Sequence, residues 1–248
     1  MVPVTSIAMN ASRYYYGRPR GIYFDWTFLL LIAGAVICMI ASGVMHSYTN
    51  KYSKVQSSSG LTGAEAATLI LQRAGVTGVG VQQIPGNLTD HYDPRTKIVS
   101  LAEESYDKTS LTGIGVAAHE CGHAIQDAEG YPLLKFRTSI VPIANLGSNL
   151  ALPVFVMGLI FSLQPLLTIG IVMFSLAVLF QLVTLPVEVN ASRRALKLLE
   201  GTGLLRPDEM SGARKVLTAA AMTYVAALLS SVLQLVRLII ISRGNQKD

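Results

Sequence analysis

The sequence predicts a mainly α membrane protein: four transmembrane helices, with a small α+β domain between the first and the second. Three observations support this fold class. Hydrophobic residues make up 51% of the chain and charged residues only 14%, whereas soluble domains carry roughly 25% charge. Four uncharged stretches each reach the length of about 20 residues that a bilayer requires. The longest polar stretch, residues 50–138, follows the first of these stretches.

The four predicted spans cover residues 26–45, 139–163, 166–187 and 216–236. The first starts too late and runs too long to be the apolar part of a signal peptide, so we interpret it as a retained anchor. The second contains Pro142 and Pro153 together with two asparagines. We therefore expect it to be kinked and to pack against protein rather than lipid.

The segments outside the spans have different characters. Residues 1–25 form a basic tail, residues 188–215 a helix and loop, and residues 237–248 a C-terminal tail. Within 50–138, a capping box at Thr62 and Glu65 predicts a helix start, and a turn at Asp93–Pro94 precedes a predicted strand. Because roughly 90 residues barely bury a core alone, we expect this domain to pack on the membrane helices.

Residues 119–123 read His-Glu-Cys-Gly-His inside a predicted helix. Residues four apart lie on one helix face, so His119 and His123 can reach a single zinc ion, while Glu120 can hold the attacking water as general base. A chance match on a surface helix is the alternative. The uncharged flanks and a total of only four histidines favour the metal site, and the 50–138 domain is then zincin-like.

Glu188 is the predicted third ligand of one zinc per chain. It directly follows the third span, where a carboxylate is costly without a partner, and a four-span topology puts it on the side of His119. Two histidines, a glutamate and a water form an established catalytic set. A solvated Glu188 is the alternative reading. Glu129, ten residues after His119, is a rival ligand, but Gln126 stands where the metzincin pattern requires glycine.

The polar string from Asp90 to Arg95 has two open interpretations. His91, Tyr92 or Arg95 could stabilise the oxyanion of a peptidase, or the string could be a turn fixed by pairing of its aspartate and arginine. Asn190 and Ser192 are candidates for holding the Glu188 carboxylate from behind. Cys121 is expected to point away from the metal, about 200° around the helix from His119, and no disulfide with Cys38 is expected.

Three strings carry a family resemblance: Leu88-Thr-Asp-His-Tyr-Asp-Pro-Arg95, Ala117-Ala-His-Glu-Cys-Gly-His-Ala-Ile-Gln126 and Glu188-Val-Asn-Ala-Ser192. They resemble the YugP-type membrane zinc metallopeptidases of bacteria, which are similar in outline to HtpX-type and CAAX-processing membrane gluzincins. The resemblance runs from about residue 22 to residue 240. It implies zinc on His119, His123 and Glu188, with Glu120 catalytic.

In the related gluzincins an edge strand just before the catalytic helix binds the substrate backbone. The predicted strand from Lys97 to Leu101 stands at that place in the sequence. The resemblance therefore implies a substrate-binding strand made of Lys97, Ile98, Val99, Ser100 and Leu101. The tail of residues 1–21 departs from the usual short start of the family, so nothing is transferred to it.

Charge bears on partners and orientation. The net charge of +5 suits contact with anionic lipid head groups, and no nucleic-acid motif accompanies it. Of the 20 lysines and arginines, 14 lie in 50–138 or 193–215, which favours a cytoplasmic active site in a bacterial multi-pass membrane protein. The expected partners are the bilayer and a peptide or membrane-protein substrate, and the oligomeric state stays open.

The function predicted from the sequence is an integral membrane zinc-dependent metalloendopeptidase that cleaves membrane or membrane-associated polypeptides. One alternative is a non-catalytic zinc-binding scaffold or regulatory subunit, against which the intact Glu120 argues. Another is a transporter or channel, but the spans contain no carboxylate pair or basic relay.

Overall fold

The computed structural model describes residues 26–244, so the predicted basic tail of residues 1–25 lies outside the described residues. Seven helices and three strands follow one another in this part of the chain: α1 Phe28–Tyr52, α2 Gly63–Arg73, β1 Gly80–Ile84, β2 His91–Asp93, β3 Ile98–Ala102, α3 Glu103–Tyr106, α4 Leu111–Ala128, α5 Pro132–Ile160, α6 Gln164–Thr202 and α7 Pro207–Gly244. Four of them, α1, α5, α6 and α7, are long and apolar enough to cross a membrane. The mainly helical fold with four candidate spans and a small sheet is thus confirmed.

The long helices extend beyond the predicted spans. α6 has 39 residues, about 58 Å at 1.5 Å per residue, or roughly twice the hydrocarbon thickness of a bilayer. Glu188 lies inside this helix, which corrects the expectation that a new helix and loop begin at 188. Pro186 removes one backbone hydrogen bond, yet α6 continues, because residues beyond it such as Ala195 and Leu199 are buried in the core. α7 likewise starts at Pro207 rather than at 216.

The sheet has the order β1-β3-β2. β1 pairs with β3 in parallel from Gly80 to Ile84, and β2 pairs with β3 antiparallel, with Tyr92 opposite Val99. β3 is therefore the central strand, and beyond the end of β2 the side chain of Asp90 accepts a hydrogen bond from the Ala102 amide. This corrects the prediction for residues 97–101: a strand with both sides paired has no free edge for a substrate backbone. Lys97 precedes the strand, in a turn with φ of 57°.

One hydrophobic core joins the sheet and the short helices to the long ones. It includes Ile70 of α2, Leu101 of β3 and Ile114 of α4, and also Leu199 of α6 and Leu217 of α7. The polar region thus shares its core with the ends of two membrane-crossing candidates.

The predicted capping box at the start of α2 is present. The Thr62 hydroxyl accepts a hydrogen bond from the Glu65 amide, and the Glu65 carboxylate accepts one from the Thr62 amide.

Candidate metal centre

Helix α4 carries both histidines on one face. The helix is fixed at its start by Ser110, whose hydroxyl accepts a hydrogen bond from the Gly113 amide. The rings of His119 and His123 lie edge to face with centroids 4.8 Å apart. Glu120, between them in sequence, is buried. The predicted helix and its 119/123 spacing therefore produce the expected pair of neighbouring imidazoles.

Glycine at position 122 allows α6 to approach this face closely. A Cβ atom at Gly122 would lie 2.6 Å from the carbonyl oxygen of Ala191, a distance that side-chain carbons do not tolerate. Ala191 follows Glu188 by three residues, so the contact fixes the stretch of α6 that bears the carboxylate. The close packing of the two backbones is what brings Glu188 to the histidines.

His119, His123 and Glu188 form a cluster with the dimensions of a zinc site. Glu188 Oε2 lies 3.2 Å from His119 Nε2 and 3.5 Å from His123 Nε2. Donors at 2.0–2.2 Å from a tetrahedral zinc are separated from one another by about 3.4 Å. Within residues 26–244, this is the one group of three or more His, Cys, Asp or Glu side chains arranged so that it could hold a metal ion.

Hydrogen bonding at the back of His123 suits a cation between the three donors. The Gln126 amide nitrogen donates to the Val187 carbonyl and to Asn190 Oδ1, both at 2.9 Å. Its Oε1 must then face His123 Nδ1, at 3.0 Å, so Nδ1 carries the proton. In the neutral ring, Nε2 then directs its lone pair at the Glu188 carboxylate, an arrangement that a metal ion between the two would stabilise.

The partner of the other histidine is Ser192. Its hydroxyl lies 3.1 Å from His119 Nδ1, which leaves Nε2 of that ring for the metal. Asn190 accepts from Gln126 and, at 2.8 Å, from Arg194. Both residues were predicted to hold the Glu188 carboxylate, and the structure corrects that role: Ser192 supports a histidine, and Asn190 supports Gln126.

Arg137 is the residue that holds the Glu188 carboxylate. Its Nη1 lies 3.1 Å from Glu188 Oε1, so Oε2 is left for the histidine side. The sequence analysis missed Arg137 and Gln126, and also Tyr224, which lines the cleft from α7. One sequence signal was available for Arg137: it is the last charged residue before a predicted span, where an unpaired charge is costly.

Glu120 has the environment of a general base. It is 7% exposed, and burial raises its pKa to about 7, partly opposed by the positive potential of His119. A carboxyl group with a pKa near neutrality can both accept and return a proton. Glu120 lines the same cavities as His119 and Glu188.

A cleft of about 490 Å³ opens over the three ligands, between β2 and the first turns of α5. On its rim, the Tyr92 hydroxyl donates to Asp127 at 2.7 Å, and Lys97 also pairs with Asp127. Arg95 donates to Asp93 through its backbone and side chain. The sequence left two interpretations of this string open, and the pairing of Arg95 with Asp93 corresponds to the second one, a turn fixed by an aspartate and an arginine.

His91 differs from these two rim residues. Its Nδ1 donates to the Thr89 carbonyl at 2.9 Å, and the ring lines the cleft together with His119 and Glu120. When the imidazole is protonated, Nε2 is a second donor. Tyr92 and Arg95 each donate to an aspartate, whereas the His91 ring donates to a backbone carbonyl. His91 is therefore the best placed of the three to donate a hydrogen bond into the cleft.

Two other sequence candidates lie away from the donors. Glu129 ends α4 on the surface, where its carboxylate pairs with Arg194 at 2.7 Å, and that guanidinium lowers the pKa of Glu129. Cys121 is buried on the opposite face of α4 with its thiol directed at the Ala67 carbonyl, and burial raises its pKa. Glu188, and not Glu129, is therefore the carboxylate that the structure brings to the histidines.

Comparison with known proteins identifies the family of this chain. The chain is 45% identical over 219 residues to the "Putative membrane protease YugP" of Bacillus subtilis (strain 168), covering 88% of this chain and 97% of that relative. No solved structure matches the chain. The profile of a family described as "Putative neutral zinc metallopeptidase" matches residues 27–243, a range that includes the two-histidine helix and Glu188. The chain belongs to that family.

Proposed function

We propose that this protein is an integral membrane zinc endopeptidase of the gluzincin type. In this proposal His119, His123 and Glu188 hold one zinc ion, and Glu120 is the general base. The observation that carries the proposal is the cluster of three donors at 3.2 and 3.5 Å, with the buried Glu120 beside it. Bound zinc would polarise the scissile carbonyl and acidify the attacking water.

The protein's own residues would then move the protons. Glu120 accepts a proton from the attacking water and returns it to the amine of the leaving peptide. Protonated His91 is our candidate for stabilising the developing oxyanion, because Tyr92 and Arg95 are each held by an aspartate. Arg137 keeps Glu188 oriented, with one carboxylate oxygen for the metal.

The cleft favours an extended polypeptide as substrate. β2 is an edge strand of the sheet and lines the cleft, so its outer edge can pair with a substrate backbone. A second cavity of about 150 Å³ adjoins Glu120, and Met45 of α1 and Ala220 and Ala221 of α7 form part of an apolar side of its lining. We propose that it receives an apolar side chain next to the cleaved bond, as membrane-associated polypeptides offer.

The proposed location of the site is the membrane interface, on the cytoplasmic side. Glu188 stands 24 residues after the start of α6, about 36 Å along the helix, slightly more than the hydrocarbon thickness of roughly 30 Å. Ser58 donates to Glu209 at the start of α7, so the polar region and the α6–α7 connection share one side. Ser58→Cys in a Cys38→Ser background should resist an impermeant thiol reagent in intact cells, and labelling from outside would contradict the orientation.

Activity of the purified protein on an unfolded polypeptide tests the proposed enzyme. Glu120→Gln should keep zinc and the fold but lose about 10²–10⁴-fold in rate. Glu129→Gln, a matched change on the same helix, should cleave at the normal rate. If both variants and the original protein cleave equally, the activity belongs to another residue or to a contaminant, and zinc binding without any turnover would support the scaffold alternative.

A further inference from the structure

An apolar groove runs between α1 and α7, and its lining residues are different from those of the metal cleft. It encloses about 610 Å³, a size typical of small-molecule sites. Its walls are almost entirely apolar, with Ile40, Val44 and Tyr48 from α1 and Met222, Val225 and Leu229 from α7. In a chain that crosses a membrane, such a groove faces the lipid.

The depth of the groove matches one leaflet of a bilayer. Its lining extends from Ile37 to Tyr48 on α1 and from Arg214 to Leu229 on α7, which is about 17 Å and about 22 Å along the two helices. Half of a hydrocarbon core is about 15 Å thick. A single acyl chain therefore fits the groove better than a transmembrane helix, which would need the full membrane thickness.

The groove ends at a basic surface. Arg214 and Lys215 line its end on the side of the metal centre, where Tyr48 also lies. Both side chains are exposed, and neither belongs to any of the ion pairs found within residues 26–244. Arg214 also lines an adjoining polar depression, shared with three further basic residues and one acidic residue: Arg193, Arg194, Lys197 and Glu200.

We propose that this groove binds one anionic phospholipid. The acyl chain lies between α1 and α7, and the phosphate group contacts Arg214 and Lys215. The groove and the two cations together match the shape of a phospholipid. The apolar groove is as deep as one leaflet, and the two exposed cations lie at its end, in the head-group region. Basic pockets between transmembrane helices are a recurring way of holding acidic head groups. The proposal is independent of the peptidase activity.

Native mass spectrometry of the full chain in micelles, titrated with phosphatidylglycerol or phosphatidylcholine, tests the proposal. The first phosphatidylglycerol should bind more tightly than phosphatidylcholine. Arg214→Gln and Lys215→Gln should each weaken that preference about fivefold. Arg243→Gln removes the same charge from the exposed far end of α7 and should leave it unchanged.

A second pair of variants tests the groove itself. Thr218→Phe places a ring at an exposed lining position and should reduce phosphatidylglycerol binding although both cations remain. Leu182→Phe, on the exposed face of α6, should not. Equal affinity for the two lipids, or unchanged binding in Thr218→Phe, would overturn the proposal. A loss of self-association in Thr218→Phe in place of lost lipid binding would identify a protein interface and would also overturn it.

Discussion

The floor and the rim of the metal cleft are built differently. The floor consists of His119, His123 and Glu188, and each of these side chains has its own buried or half-buried partner. Two of the partners, Ser192 and Arg137, come from distant parts of the chain, and the third, Gln126, is itself held by the Val187 carbonyl of α6. The rim consists of β2 and the turn after it, residues 91–97, where Arg95 pairs with Asp93 at two residues' distance and is 85% exposed. The floor is fixed by packing of long helices. The rim is held by the exposed Arg95–Asp93 pair, which water can replace, and by the bonds of Tyr92 and Lys97 to the single carboxylate of Asp127.

Under the proposed function, this difference separates metal binding from substrate handling. Buried polar groups are costly to leave without a partner, so a change in the floor should remove or loosen the metal. Exposed ion pairs contribute at most about 1 kcal/mol, so a change in the rim should leave the metal in place. If this division holds, variants of the floor and variants of the rim should differ in zinc content.

The largest effect is expected from Gly122→Ala. The added methyl group would collide with the Ala191 carbonyl, so α6 must move away from α4 and carry Glu188 out of reach of the histidines. We expect loss of stoichiometric zinc together with a lower unfolding temperature. Gly43→Ala, in α1, meets no atom within 4 Å and should change neither the zinc content nor the temperature.

A smaller effect is expected from Gln126→Leu. The substitution has similar size but removes the acceptor that fixes the proton on His123 Nδ1, so zinc should bind about 10–100-fold more weakly. Competition with a chelator measures this change. Gln72→Leu, at an exposed position of α2, is the matched control, and equal zinc affinities of the two variants would contradict the role of Gln126.

A further decrease in effect is expected for Arg137→Gln, which should weaken zinc binding by about tenfold. The reason is that Glu188 loses the partner of its Oε1. Arg137→Lys retains a cation and should recover part of the affinity. Arg95→Gln removes the same charge from the rim and should bind zinc normally. If the arginine changes in the floor and the rim had the same effect, the distinction between the two regions would fail.

The smallest effect is expected from Tyr92→Phe. It removes one half-buried hydrogen bond, from the hydroxyl to Asp127, so the free energy of unfolding should fall by about 1 kcal/mol. The zinc content should stay at one ion per chain. Denaturant unfolding together with metal analysis checks both expectations, and a zinc-free variant would show that the rim supports the metal.

The sequence led to the three candidate ligands because their placement follows from local rules. Helical spacing pairs His119 with His123, and topology puts Glu188 on the same side, with no need to know how the helices pack. Gln126 and Arg137 could not be assigned in this way, since Gln126 bonds to Val187, 61 residues away, and Arg137 pairs with Glu188 from another helix. Tyr224 reaches the cleft from α7, which also depends on how the helices pack. The strand order was missed for the same reason: pattern predicts that β3 exists, but its parallel pairing with β1 depends on the tertiary fold.

Metal content of the purified protein tests the central claim most directly. The account predicts one zinc ion per chain in the original protein, its loss in Glu188→Ala, and its retention in Glu129→Ala, whose carboxylate pairs with Arg194 on the surface. All three proteins should elute at the same volume and show the same helical content. Stoichiometric zinc in Glu188→Ala would contradict the proposed site.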